Sequence, residues 1–169
     1  MEFNELIQKR YSVRAYRPNP VEEEKLRQVL EAARLAPTAA NRQSFQIIVI
    51  HPAGREADMR RIYKADWFAT APVILSAVGL PAGNWVRKDG KNYNYLDIGN
   101  VMDHNVLSAT NLGLGTCWIG AFDPAAAREI LGLPEGAQPI AFTPLGYPAD
   151  QSGPKKRKPL SELLRYERW

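Results

Sequence analysis

The sequence predicts a mixed α/β or α+β fold in which a few buried strands are clothed by helices. Gln46–Ile50 is a continuous apolar, β-branched run, and Pro72–Gly79 carries Val73, Ile74, Leu75 and Val78 over the length of a strand. Asp97–Leu112 instead spaces its apolar residues as a helix does. With 169 residues, 45% of them hydrophobic, the chain reads as one domain, residues 1–169, that can bury a sizeable core.

Taken in order, Phe3, Leu6 and Ile7 fall at helical spacing, so residues 2–9 form a short helix packed on something larger. Asn19-Pro20-Val21-Glu22 starts a second helix, with Asn19 as cap, Pro20 in the first turn and Glu22 three residues after the cap. Leu26, Val29, Leu30 and Ala33 line one face of it, and Pro37 ends it. Gln46–Ile50 follows as a strand covered on both faces. Residues 55–65 are helical and Pro72–Gly79 is a second buried strand. The polar stretch Pro81–Asn94 separates that strand from the longest helix, about Asp97 to Leu112. Its wide apolar stripe makes it a central or dimer-interface helix. Then come strand Thr116–Ile119, helix Pro124–Leu131, strand Ile140–Leu145 and a terminal helix from about Pro159 to Arg165. Pro148–Pro154 is the only plausible linker.

Composition excludes several classes of protein. No apolar run approaches the ~18 residues of a membrane span. Met1-Glu2-Phe3-Asn4-Glu5 lacks the features of a secretion signal. The single cysteine, Cys117, offers no internal disulfide and fits a reducing, cytoplasmic setting. The net charge of +4 is uneven, because residues 150–169 hold six Lys/Arg against three acids. A nucleic-acid binder would show a broader basic face with interleaved aromatics. Lys155-Lys156-Arg157-Lys158 is compact, and a solvated charged loop is its plainer reading.

Arg10-Tyr11-Ser12-Val13-Arg14 is the stretch richest in chemistry. In an extended backbone Arg10, Ser12 and Arg14 project from one side, a comb of donors suited to a phosphate or another flat anion, or else a solvated basic turn. The glycines of Gly113-Leu114-Gly115-Thr116-Cys117-Trp118-Ile119-Gly120 do not form a dinucleotide fingerprint. They follow a helix and open a strand, the reverse of the Rossmann order. Gly113 and Gly115 end the long helix, whereas Gly120-Ala121 leave backbone amides open to a ligand close to a helix start at Asp123-Pro124. Metal catalysis has little support, because Asp103 and His104 point about 100° apart on a helix and His51 is remote. Cys117, in an apolar strand, is buried and inert. The small-residue loop Ala36–Phe45 offers Thr38 and Asn41 for hydrogen bonds, or simply connects a helix to a strand.

Together these segments resemble the nitroreductase family of FMN-dependent oxidoreductases. The resemblance rests on Arg10–Tyr16, Ala36–Gln43, Gly113–Phe122, Pro144–Pro148 and Lys155–Pro159, in the family's order over nearly the whole chain. It implies a three-layer α+β fold with a mixed, mostly antiparallel sheet flanked by helices, and a homodimer with two FMN molecules in its interface. It further implies that Arg10 and Ser12, with Lys155 and Arg157, hold the FMN phosphate, and that Tyr11 belongs to the same cofactor site. Arg14 would lie near the ribityl chain and pyrimidine end. Pro37, Thr38, Ala39 and Asn41 would come from the other subunit to touch the ring. Backbone groups of Ile119, Gly120 and Ala121 would face its hydride-accepting nitrogen. No catalytic side chain is required, since the flavin carries the chemistry.

The expected partners are NAD(P)H and a flat acceptor such as a nitroaromatic or quinone, with no nucleic acid and no membrane. The chain is short for the family, and its lid region, Pro81–Asn94, is correspondingly small. Trp85, Tyr93 and Phe45 either wall the pocket or belong to the core. The alternatives are an FMN enzyme of the same fold with a dehydrogenase or ring-modifying reaction, and a nucleic-acid module using Lys155–Lys158.

Overall fold

A four-stranded sheet of order β1-β2-β4-β3 lies between two layers of helices. A computed structural model describes residues 1–169 in full. The strands are β1 (Phe45–Ile50), β2 (Val73–Gly79), β3 (Gly115–Thr116) and β4 (Gln138–Gly146). The helices are α1 (Phe3–Lys9), α2 (Glu23–Arg34), α3 (Glu56–Ile62), α4 (Asp66–Ala69), α5 (Asn94–Asn111), α6 (Pro124–Leu131) and α7 (Leu160–Leu163). Every strand pair is antiparallel, and the only parallel element is the bridge between Ser12 and Thr116.

Period-two alternation along β2 divides the core. Ile74 faces α3, α4 and α6 together with Phe142, Met59 and Phe68. Leu75 and Ala77 face the opposite layer, where Leu26, Val29, Ala109, Ile98 and Met102 come from α2 and α5. Both faces of β2 are therefore buried throughout. That is not so for β1, which pairs with β2 alone and leaves Ile47, Ile48 and Val49 only half-buried. The expected cover on both faces is present, with Ile48 and Ile50 packed in one layer and Ile47 and Val49 in the other, but it is thinner here because an edge strand has no lateral neighbour on one side.

Other boundaries moved for identifiable reasons. Asn19 is not the cap of α2; the chain stays extended to Glu22, whose carboxylate accepts the Tyr147 hydroxyl and pairs with Lys25. The long helix begins at Asn94, where the Asn92 side chain accepts the Asn94 N–H. The strand expected over Thr116–Ile119 is regular only at Gly115–Thr116, after which Ile119 makes an isolated bridge to Phe142. The terminal helix shrinks to α7, and α4 was not foreseen. Helix α6 starts at Asp123-Pro124 as expected, and Asp123 caps it by accepting the N–H groups of Ala125 and Ala126.

Two glycines shape the edge of the sheet next to the site. Gly113 has φ +77° and turns the chain out of α5. Any side chain at Gly115 would run into Val13 and Pro148, so the N-terminal segment lies directly on β3. In α1 only Leu6 is buried, while Phe3 and Ile7 stay exposed. The arm from Gln151 to Trp169 is exposed along its whole length.

Candidate functional site

Residues 11–17 lie extended along the end of the sheet. The Val13 N–H donates to Thr116 O at 2.9 Å, Arg17 N–H to Tyr147 O at 2.8 Å, and Ala149 N–H to Ala15 O at 2.8 Å. Val13 points inward and is buried, which turns its neighbours Ser12 and Arg14 the other way. This pairing joins the start of the chain to Tyr147–Asp150, the approach to the basic run.

As a result Arg10, Tyr11 and Ser12 share one cleft of about 350 Å³ with Gly153, Pro154, Lys155, Lys156 and Arg157. The Lys155 ammonium donates to Ile7 O at 2.7 Å, at the carboxyl end of α1. Its pKa is pushed below the usual lysine value, first by burial and then by the positive charges of Arg10 and Arg157. None of the three cations has an acidic partner among the ion pairs of the chain. A cleft that holds like charges together without a counterion is built for an anion, and a phosphate monoester, with nearly two negative charges and three acceptor oxygens, fits its donors. Arg14 stands off this cleft. It is exposed, and its charge acts on Cys117, whose thiol is nevertheless pushed up in pKa chiefly by burial.

Asp150 fastens the cleft and was not anticipated from the sequence. One carboxylate oxygen accepts the Arg14 N–H at 2.8 Å, and the other, with the Asp150 carbonyl, accepts the Tyr11 hydroxyl. Burial and this hydrogen bond raise the Tyr11 pKa, so the phenol remains a donor. Only proximity across 139 residues identifies Asp150, and nothing local in the sequence carries that signal.

Past β3 the chain reaches Gly120 and Ala121, both exposed, and a Cβ placed on Gly120 would meet nothing within 4 Å. Their N–H groups are free, and small residues leave room for a flat ligand. Ile119 does not share that surface. Its side chain is buried, and its N–H and C=O are both paired with Phe142, at 2.8 and 3.0 Å. The expectation that Ile119 presents backbone groups to a ligand is therefore corrected, because the sheet consumes them.

The loop holding Pro37, Thr38, Ala39 and Asn41 lies elsewhere, against the amino-terminal turns of α5. Asn100 donates to Pro37 O at 3.1 Å, and the Ala39 N–H donates to Asp97 at 2.8 Å. Thr38 Oγ1 accepts the Gln43 N–H at 3.1 Å. Ala40, Asn41 and Gln43 all have positive φ, from 49° to 53°. Tyr11, by contrast, borders a small cleft with Thr110, Gly113 and Leu114 at the other end of α5. An 18-residue helix is about 27 Å long, so one copy of the chain does not bring loop and cationic cleft together.

The stretch after β2 folds into a hairpin, with Val86 bridged to Asn92. Trp85 and Tyr93 stack edge to face with centroids 4.7 Å apart, and Arg87 holds both Tyr93 and Asp89. Phe45 instead packs with Ala33, Ala36 and Val101, so it belongs to the core.

Comparisons with known proteins find relatives over nearly the whole chain. The nitroreductase family profile matches residues 7–67 and 55–147. A protein of Thermus thermophilus named NADH dehydrogenase is 30% identical, over 92% of this chain and 91% of its own. An NAD(P)H-dependent FMN reductase of Bacillus subtilis is 29% identical, over 88% of this chain and 66% of its own. The crystal structure of a nitroreductase family protein from Clostridium difficile superimposes with a TM-score of 0.90 at 39% identity, covering all of both chains.

Proposed function

The chain belongs to the nitroreductase family, and from that membership we propose that it is an FMN-dependent NAD(P)H oxidoreductase acting on flat acceptors such as nitroaromatics or quinones. The observation that carries this reading is the cleft in which the two ends of the chain meet, with Arg10, Ser12, Lys155 and Arg157 around an unneutralised positive charge.

FMN, when bound, accepts a hydride from NAD(P)H and passes two electrons to the second substrate. The protein's own groups bind and orient it. Arg10, Ser12, Lys155 and Arg157 hold the phosphate, while Tyr11, fixed by Asp150, closes the side of that cleft. Arg14 supplies positive charge where negative charge develops on reduction. The free N–H groups of Gly120 and Ala121 would bind the ring edge, and the open space at Gly120 would leave one face of the ring accessible. A single open face would serve donor and acceptor in turn, as a ping-pong scheme requires.

The Pro37–Asn41 loop completes the site from a second copy of the chain. Two features support a homodimer. Loop and cleft sit at opposite ends of α5, and much apolar surface is unburied. Phe3 and Leu6 of α1 line an open groove of about 360 Å³ with Leu107, and Leu160, Leu163, Leu164, Tyr166 and Trp169 project from the arm. Patches of this kind mark interfaces rather than free surface. The buried free thiol of Cys117 accords with a cytoplasmic setting.

The test is a flavin titration of the purified protein, followed by anaerobic addition of NADH or NADPH and then of a quinone. Yellow protein that bleaches with a nicotinamide and regains colour with quinone is the expected result. Protein that gains no flavin absorbance on addition of FMN removes the proposal.

A further inference from the structure

Three polar residues of α5, at positions 94, 97 and 100, recur every third residue and so form a row along its first two turns. Each is hydrogen-bonded to the backbone of the segment from Pro37 to Ser44. Asn100 Nδ2 donates to Pro37 O at 3.1 Å, Asp97 Oδ1 accepts the Ala39 N–H at 2.8 Å, and Asn94 Nδ2 donates to Ser44 O at 2.7 Å. The order runs antiparallel to the helix, so the row spans the whole loop from its proline to the start of β1.

The loop needs such a template. Ala40, Asn41 and Gln43 are all non-glycine residues in the left-handed region, a conformation that L side chains resist. Free in solution, the segment would relax to ordinary φ values. Strain of this kind persists only where the surroundings over-determine it, and it gathers at binding sites. Asp97 is 3% exposed and Asn94 6%, so two of the three contacts are shielded from competing water. A buried aspartate spent on one backbone N–H is an expensive way to secure an ordinary connection, because its charge must be desolvated.

We infer that Asp97, with Asn94 and Asn100, is a positioning residue that presets the Pro37–Asn41 loop in the shape that receives the isoalloxazine ring. The inference rests on the flavin reading above and adds the element that shapes the ring-facing wall. Asp97 itself lies behind the loop and acts only through it.

Riboflavin, which has the ring but no phosphate, separates this role from that of the cationic cleft. Asp97→Ala removes the acceptor, whereas Asp97→Asn keeps an oxygen in its place. Fluorescence titration of the full-length protein with FMN and with riboflavin should show Asp97→Ala weakening both by a common factor of about tenfold or more, the scale of one lost charge-assisted hydrogen bond. Asp97→Asn should restore both to within about threefold of the parent. If Asp97→Ala binds riboflavin as the parent does, the inference is overturned, whatever happens to FMN. The flavin reading then still stands, because it falls only if the parent fails to bind FMN. Should Asp97→Ala fail to fold, Asn100→Ala at the half-buried end of the row is measured in its place. An equal loss for both flavins supports the inference, and parental affinity for riboflavin overturns it.

Discussion

The carboxylate of Asp150 accepts the backbone N–H of Arg14 at 2.8 Å, so an acidic residue from one end of the chain holds a cationic segment from the other. The same side chain accepts the Tyr11 hydroxyl. An acid beside an anion site opposes binding by its charge, yet here it spends its oxygens on fixing the segment that carries the donors. Asp150→Ala should therefore lower stability by about 1–2 kcal/mol, the scale of two partly exposed hydrogen bonds. It should also weaken FMN binding despite removing a negative charge. Denaturant melts and flavin titrations check both effects, and tighter FMN binding would show that the charge outweighs the geometry.

Lys155 makes FMN binding depend on alkaline pH. Its pKa in the free protein lies below the usual lysine value, from burial and then from Arg10 and Arg157. Between that lowered pKa and the unfolded one the unfolded chain binds more protons, so the stability of the docked segment rises with pH across this window. Below the lowered pKa the full repulsive cost is present. A bound phosphate dianion reverses the effect by favouring the ammonium form. FMN affinity should consequently fall as pH rises through the free-protein pKa, with proton uptake on binding, and calorimetry in two buffers of different ionisation enthalpy measures this. Lys155→Gln should flatten the alkaline limb.

Sites assembled from two copies predict complementation. Arg10→Gln with Arg157→Gln cripples the cleft, and Asp97→Ala cripples the loop. When the two variants are co-expressed and assort at random, half of the dimers are mixed, and each mixed dimer holds one site free of lesions. Activity should return to about a quarter of the parental value. Assembly of both halves within one copy would give no recovery.

Ala40→Gly should stabilise the protein. Ala40 sits at φ 49°, ψ 28°, where a Cβ costs roughly 1–2 kcal/mol, and the added chain entropy of glycine returns part of that gain. A net increase of about 0.5–1 kcal/mol is expected in denaturant melts. A loss would mean that the surrounding hydrogen bonds have already relieved the strain.

The parts of this fold that follow from local chemistry were legible in the sequence. The burial of β2, the stripe of α5, the start of α6 at Asp123-Pro124 and the Gly113 turn each depend on side chains within a few residues. What depends on distant partners was less so. Asn19 lost its role to a chain that stays extended up to Glu22, and β1 is only half-buried because its edge position in the sheet is not written in the strand. The same division applies to the site. Arg10 and Ser12 stood out by charge and spacing, Lys155 and Arg157 only through the family resemblance, and the structure brings all four to one cleft. Asp150 and Asp97 are ordinary acids in the sequence, because their meaning lies in backbone groups 136 and 58 residues away. Ile119 was misjudged because a motif names positions without saying which amides the sheet has already consumed.

The hairpin from Trp85 to Tyr93 keeps most of its hydrogen bonds to itself. At its base it is moored to Ser44, whose hydroxyl donates to Ala82 O at 2.7 Å and whose carbonyl receives the Asn94 amide. Such a unit behaves as an exchangeable cassette. Evolution or an engineer can vary its length and aromatic content without re-solving the packing of the sheet or the cleft where the two chain ends meet.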